Sequence, residues 1–223
     1  MHDNLNISDL KPWGRNAREY ELMFDLELDD FESIASYADG PSSLQADKPN
    51  LNICSFDPLY NFTTDAINLE IKRIGGTMLT YLELNKANYH WETFNSPKEL
   101  VNQRLATAEK FLRHFTTTPA KYYKDTLPNL NSKEYFQLAL CSHFLFLFSG
   151  DLNTHFHIAA IESIMNHAEE LRIFPLVDRH GKTSSHLPHV LDYLHESNLQ
   201  YEILPTQYRF QKGAYNYLKI SKI

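Results

Sequence analysis

Residues 136–143 read Phe136-Gln137-Leu138-Ala139-Leu140-Cys141-Ser142-His143. Up to Ser142 the run is apolar almost without alternation, the pattern of a central strand covered on both faces of a parallel sheet. A half-exposed antiparallel strand would alternate apolar and polar residues instead. Outward from this strand, short apolar runs alternate with helical periods, the order of an α/β sheet with crossover helices.

Toward the N-terminus, Tyr20, Met23 and Phe24 fall at helical spacing, so residues 16–26 are expected to form a helix after the breaker Pro12-Trp13-Gly14. Residues 33–38 and 51–56 read as strands, the second ending at Asp57-Pro58, where proline cannot continue a ladder. Between residues 63 and 84 the apolar spacing is helical, and Gly75-Gly76 predicts a broken helix or two helices. Ser96-Pro97-Lys98-Glu99 has the arrangement of a capping box and opens a helix to about residue 114. Residues 121–126 are expected to be the third strand. Beyond the central run, a helix over 151–168, a strand over 171–175 and a helix over 185–196 follow. Strands at 201–204 and 217–220 are joined by a connector too short for a crossover helix, so that pair should be antiparallel.

The chain has 223 residues, a formal net charge of −7, 43% hydrophobic residues and two cysteines. That length suits one domain with an ample core and excludes disorder as the main state. The acidic balance, with no dense Lys/Arg cluster, argues against nucleic-acid and anionic-membrane partners. Cys54 and Cys141 both lie in apolar runs and build no disulfide framework, so a reducing, cytoplasmic setting is expected. Residues 1–10 lack the basic start and apolar run of a signal peptide. The longest apolar stretch, residues 135–148, carries Gln137, Ser142 and His143 and is too short to span a bilayer. Among the histidines, His155, His157 and His167, and His180, His186 and His189, have no metal-ligand spacing, and no metal is expected.

In an open parallel sheet, ligands bind beyond the carboxyl ends of the strands. Three predicted strand ends carry suitable residues. The first runs Ala38-Asp39-Gly40-Pro41-Ser42-Ser43, the second ends at Asp57, and the central one ends at Ser142-His143. An acidic residue just after a strand is the position that accepts hydrogen bonds from ribose hydroxyls in dinucleotide folds. A nucleoside-containing ligand follows as the leading class.

Pro12-Trp13-Gly14-Arg15 with Glu19-Tyr20 and Met23-Phe24, then the segment from Asp39 to Ser43, then Phe56-Asp57-Pro58-Leu59-Tyr60, then the segment from Leu138 to His143, then Phe174-Pro175-Leu176 occur in this order. In this combination the chain resembles a bacterial group of class I S-adenosylmethionine-dependent methyltransferases, from about Pro12 to the C-terminus. The resemblance implies an α/β, Rossmann-like, seven-stranded and mostly parallel sheet with an antiparallel last strand and helices on both faces. It implies an N-terminal helical segment or lid over residues 1–30 and a methyltransferase-like domain over 31–223. It further implies that S-adenosylmethionine lies across the first two strand ends. Tyr37, Ala38, Asp39 and Gly40 would pass near the methionine moiety, Arg15 would close over its carboxylate, Asp57 with Pro58 would hold the ribose, and Thr126 and Leu127 would flank the adenine. Ser142 and His143 would face the sulfonium, with His143 the candidate catalytic base.

The family's first-strand motif reads acid, any residue, Gly, any residue, Gly, where this chain has Ser36, Tyr37, Ala38, Asp39 and Gly40. The acid is missing, and Asp39 is out of register with it. Methyl transfer from a sulfonium needs alignment, desolvation and at most one proton acceptor, so few catalytic side chains are required. The expected function is methylation of a small-molecule acceptor. The alternative is a methyltransferase-like domain that has lost catalysis and serves as a binding or interaction module.

Overall fold

The computed structural model describes residues 6–222. Residues 1–5 of the expected N-terminal lid, and the last residue of the expected domain, lie outside that range. In chain order the elements are α1 (Ile7–Leu10), α2 (Ala17–Phe24), β1 (Ser33–Tyr37), α3 (Leu44–Asp47), β2 (Asn52–Phe56), α4 (Thr64–Leu84), α5 (Pro97–Thr117), β3 (Tyr122–Tyr123), β4 (Phe136–Ser142), α6 (Thr154–Met165), β5 (Ala168–Phe174), α7 (Leu187–Glu196), β6 (Leu199–Pro205) and β7 (Asn216–Lys222). They form a seven-stranded sheet in the order β3-β2-β1-β4-β5-β7-β6. The pairs among β3, β2, β1, β4 and β5 are parallel, and β7 runs antiparallel to both β5 and β6. The fold is therefore the mostly parallel, Rossmann-like sheet with an antiparallel last strand that the sequence led us to expect. The central run forms β4 over the expected residues.

Alternate residues of the strands feed two cores. Ala35, Tyr37, Ala139 and Cys141 face α6 and α7, packing with Ile161, Ile164, Val190 and Leu194. Ile34, Ile53, Leu138 and Leu140 face the other way, against Tyr20, Met23 and Phe24 of α2 and Leu100 and Val101 of α5. Burial on both faces is why β4 reads as a continuous apolar run. Both cysteines are buried and unpaired. No helix among the described residues is long and apolar enough to cross a membrane.

Several local expectations need correction. Residues 64–84 form one unbroken helix rather than a broken one. Gly75 is buried against α5 beside Leu105, and tertiary packing of the helix's apolar face overrides the roughly 1 kcal/mol that a glycine costs a helix. The third strand shrinks to Tyr122–Tyr123 because Asp125 accepts from the amides of Asn131 and Ser132 (both 2.9 Å) and pulls the chain off the sheet. Only half of the capping box at Ser96 forms: its Oγ accepts from Glu99 N at 3.1 Å, but the Glu99 carboxylate takes Asn95 Nδ2 instead of Ser96 N. A complete capping box instead opens α2, between Asn16 and Glu19. The helix expected over 151–168 is the shorter α6, and β5 starts at Ala168 rather than at residue 171.

Candidate functional site

At the carboxyl end of β1, Ala38 takes a left-handed backbone (φ 52°) and donates its N–H to Phe56 O at 2.8 Å. His143, at the end of β4, has φ 55°. Two non-glycine residues in this region, on adjacent central strands, hold of order 1–3 kcal/mol of strain each, a cost characteristic of sites that aim a group for a purpose.

Asp39 turns back over β1 and is only 5% exposed. Its Oδ1 accepts from Tyr20 Oη (2.5 Å) and Ser36 Oγ (2.8 Å), and its Oδ2 from Ser55 Oγ (2.6 Å). The carboxylate thus lies beside the side chain of Ser36, the position where the methyltransferases that the sequence resembles carry an acid. Burial pushes the Asp39 carboxyl above its ordinary range, and the hydroxyl donors oppose it.

Gly40 follows with φ 57°, and a Cβ built on it would meet no atom within 4 Å. The loop is held from β2: Asp57 accepts from Gly40 N at 2.9 Å and Leu59 N at 2.8 Å, and Tyr60 Oη donates to Gly40 O at 2.8 Å. Pro58 opens the short turn that Asp57 caps. The two strand ends are therefore one rigid unit with an open face at Gly40.

The N-terminal segment covers this unit. Gly14 lies so close to the loop after β1 that a Cβ there would sit 2.0 Å from Pro41 O. The Arg15 carbonyl accepts from Ser43 N (3.0 Å) and Ser42 Oγ (2.8 Å). Arg15 Nη1 donates to Trp13 O at 3.0 Å, while its Nε is buried without a partner. Burial and the neighbouring Arg104 both work against the Arg15 charge.

Sequence reasoning missed the cluster behind Arg15. Arg104 of α5, 2% exposed, grips Glu19 of α2 through both terminal nitrogens, and Tyr208, from the loop after β6, donates to Glu19 Oε1 at 2.9 Å. Burial pushes Glu19 upward, yet the charge and hydrogen bonds of Arg104 outweigh it and leave the carboxyl low. The available signal was register: Arg104 falls on the same helix stripe as Leu100, Val101, Ala108 and Phe111. Glu19 is thus paired with Arg104, while Arg15 forms no ion pair among the described residues and keeps a buried, unsatisfied Nε.

The remaining expected site residues are dispersed around this unit. Tyr37 is buried and stacked on Phe56 (4.7 Å), so its side chain belongs to the core. Leu127 is 8% exposed and packs into the core, and Thr126 pairs with Asn129 in an isolated bridge. Ser142 is buried, with Oγ 3.7 Å from Met23 Sδ and 3.0 Å from His143 Nδ1. The hydroxyl and Nδ1 share one hydrogen bond, which leaves Nε2 as the ring nitrogen outside it. Burial, with Arg15 and Arg104 nearby, holds the His143 pKa well below its ordinary value, so the ring is neutral at pH 7. His157 and His167 bond backbone carbonyls with both ring nitrogens.

His143 and Asp57 give stability opposite pH dependences. An unfolded histidine takes up a proton below about pH 6.5 while buried His143 stays neutral, so acid removes stability. Burial pushes the Asp57 carboxyl up to about 6. Between pH 6 and 4 the folded state therefore binds this proton before the unfolded state does, returning about 3 kcal/mol as pH falls. Asp57→Asn is expected to abolish that return. Urea midpoints measured from pH 7 to 4 should then fall more steeply in the variant, and parallel curves would refute the assignment.

The site's geometry can be set beside known proteins. No protein-family model matches the chain. An uncharacterized protein of Methanocaldococcus jannaschii is 32% identical over 223 residues, a match covering 98% of this chain and 99% of that protein. The chain belongs to that protein's family. Among solved structures, the mitomycin 7-O-methyltransferase MmcR aligns with 92% of this chain and 54% of its own, at a TM-score of 0.47 and 12% identity. The chain thus spans about half the length of that methyltransferase. The Methanocaldococcus jannaschii relative, by contrast, is matched over nearly its whole length.

Proposed function

We propose that the chain is an S-adenosylmethionine-dependent methyltransferase acting on a small-molecule acceptor. The observation that carries this reading is the open face of Gly40, clamped by Asp57 between the first two strand ends, with the Arg15 main chain bound to the loop that follows and its Nε buried without a partner. A ligand fitting there needs hydroxyls for Asp57, an anionic group for Arg15 and a cationic group for Asp39. S-adenosylmethionine has all three, and when bound it supplies a methyl group already activated on a sulfonium.

In this reading Asp57 with Pro58 holds the ribose hydroxyls, and Tyr37, Ala38 and Gly40 offer main chain to the methionine moiety. Arg15 holds the carboxylate, and Asp39 supplies, from a shifted position, the negative charge absent at Ser36. Thr126 and Leu127 flank the adenine. Ser142 orients the His143 ring through Nδ1, and in the tautomer with Nδ1 protonated His143 Nε2 accepts a proton from a protonated acceptor. The left-handed backbone at His143 aims the ring from a rigid strand end, where alignment matters most.

Calorimetric titration tests the reading. S-adenosylmethionine and S-adenosylhomocysteine should each bind with micromolar Kd, about −8 kcal/mol. Asp57→Ala should weaken both by about 100-fold, near 2.7 kcal/mol. A second reading, an interaction module without catalysis, is favoured by the three internal hydroxyls that already occupy Asp39. No heat at millimolar ligand from folded protein would establish that second reading over the first.

A further inference from the structure

Three loops meet on the side of the sheet that carries Tyr208: residues 86–91, 178–182 after β5, and 206–215 between β6 and β7. Main-chain bonds stitch them together, with Lys212 N donating to Asn88 O (3.0 Å) and His90 N to Phe210 O (2.7 Å), while Gln211 Nε2 reaches Asp178 O (2.9 Å). Gly181 (φ 76°) and Gly213 (φ 90°) press so closely that a Cβ on Gly213 would stand 2.2 Å from Gly181 O. The junction is therefore rigid. It lines a partly open cavity of about 70 Å³. A water needs roughly 10–15 Å³ of such space, so the cavity accommodates one tetrahedral or planar oxyanion.

Its lining includes Arg179, His180 and Lys212 and no carboxylate. Asp178, the nearest acid in the chain, is turned into its own loop, where Oδ1 accepts from His180 N (2.8 Å) and Lys182 N (3.0 Å). Arg179 pairs with Asp151 at 2.8 Å, a side chain that is 57% exposed, and its guanidinium lies 5.4 Å from the centroid of the Phe148 ring. With cations and no carboxylate in its lining, the pocket favours an anion over a cation. Tyr89, also in the lining, stacks on Phe210 at 4.7 Å, placing aromatic surface beside the cations. Lys212 is four residues from Tyr208, at most about 14 Å along an extended chain, and the Tyr208 ring lies 6.2 Å from that of His143.

We infer that this junction binds the oxyanion group, phosphate or carboxylate, of a small organic molecule whose apolar body lies along Tyr89 and Phe210. Under the methyltransferase reading, on which only this last step rests, that molecule is the methyl acceptor.

The test is titration at fixed ionic strength with phenyl phosphate and with inorganic phosphate. Phenyl phosphate should bind wild type with a Kd of about 1 mM or lower, roughly tenfold tighter than inorganic phosphate. Arg179→Ala and Lys212→Ala should each weaken it about tenfold, while Lys182→Ala, outside the lining, should not. Equal binding by all four proteins, or none at about 50 mM, overturns the pocket. Equal affinity for the two ligands overturns the organic body. Preserved binding in the presence of saturating S-adenosylhomocysteine supports a pocket separate from Arg15; loss of binding in Arg15→Ala but not in Lys212→Ala overturns it. If S-adenosylmethionine fails to bind wild type while phenyl phosphate behaves as expected, the methyltransferase reading falls and the pocket stands.

Discussion

Replacing Arg104 with methionine is expected to destabilise the protein by about 3–5 kcal/mol, because Glu19 would be left buried and charged without its partner. For a chain of this size each kcal/mol lowers Tm by about 2–4 °C, so a fall of roughly 10 °C should appear in a thermal scan. The double variant Glu19→Leu/Arg104→Met should recover most of the loss, since a buried pair replaced by packed apolar side chains is often neutral. The residue of about 1 kcal/mol would reflect the lost Glu19 arm of the α2 capping box. A double variant as unstable as the single one would show that the pair's geometry, rather than the stranded charge, supplies the stability. The tenacity of this cluster matters for function because it fixes α2, and with it Tyr20 and the adjoining Arg15, over the strand ends.

Gly14→Ala is the second substitution expected to have a large effect. The added methyl group would meet the Pro41 carbonyl at 2.0 Å, main chain against main chain, with no flexible side chain to yield. Lifting the segment breaks the bonds from Ser42 and Ser43 to Arg15 O and detaches Arg15 from the loop after β1. A cost of about 3 kcal/mol is expected, at the upper end for overpacking. Under the methyltransferase reading, S-adenosylmethionine affinity should fall by at least about tenfold as well. Calorimetry and urea unfolding on the same sample separate the two effects. Unchanged stability and unchanged affinity would mean that the N-terminal segment is not anchored at Gly14.

Much of the architecture could be read from residues alone. The unbroken apolar run of β4 marks the sheet centre, and the short connector after residue 204 foretells the antiparallel β7 because no crossover helix fits it. Asp57 stands out for its place after β2, and the Ser142-His143 pair for its place after β4. The polar interior was harder, because its partners are brought together only by folding. Asp39 receives its hydrogen bond from Tyr20, on a different element, and Glu19 finds Arg104 through α5. Gly75-Gly76 misled because local propensity says nothing of the Leu105 side chain that packs there. Thr126 could not be placed because Asp125 redirects the chain through bonds to residues that follow it.

The carbonyl of Leu22 accepts three hydrogen bonds, from Thr206 Oγ1 at 3.0 Å and from the amides of Gln207 and Tyr208 at 3.1 Å each. One end of the chain is thereby sewn to the other. Met23 and Phe24 are covered by Ile34 of β1, Leu138 and Leu140 of β4 and Leu100 and Val101 of α5, in the same core as Tyr208 and Tyr217. The helix that carries Tyr20 to Asp39 and the hairpin that carries Tyr208 to Glu19 therefore share one seat, and a displacement of either is transmitted to the other across the whole sheet.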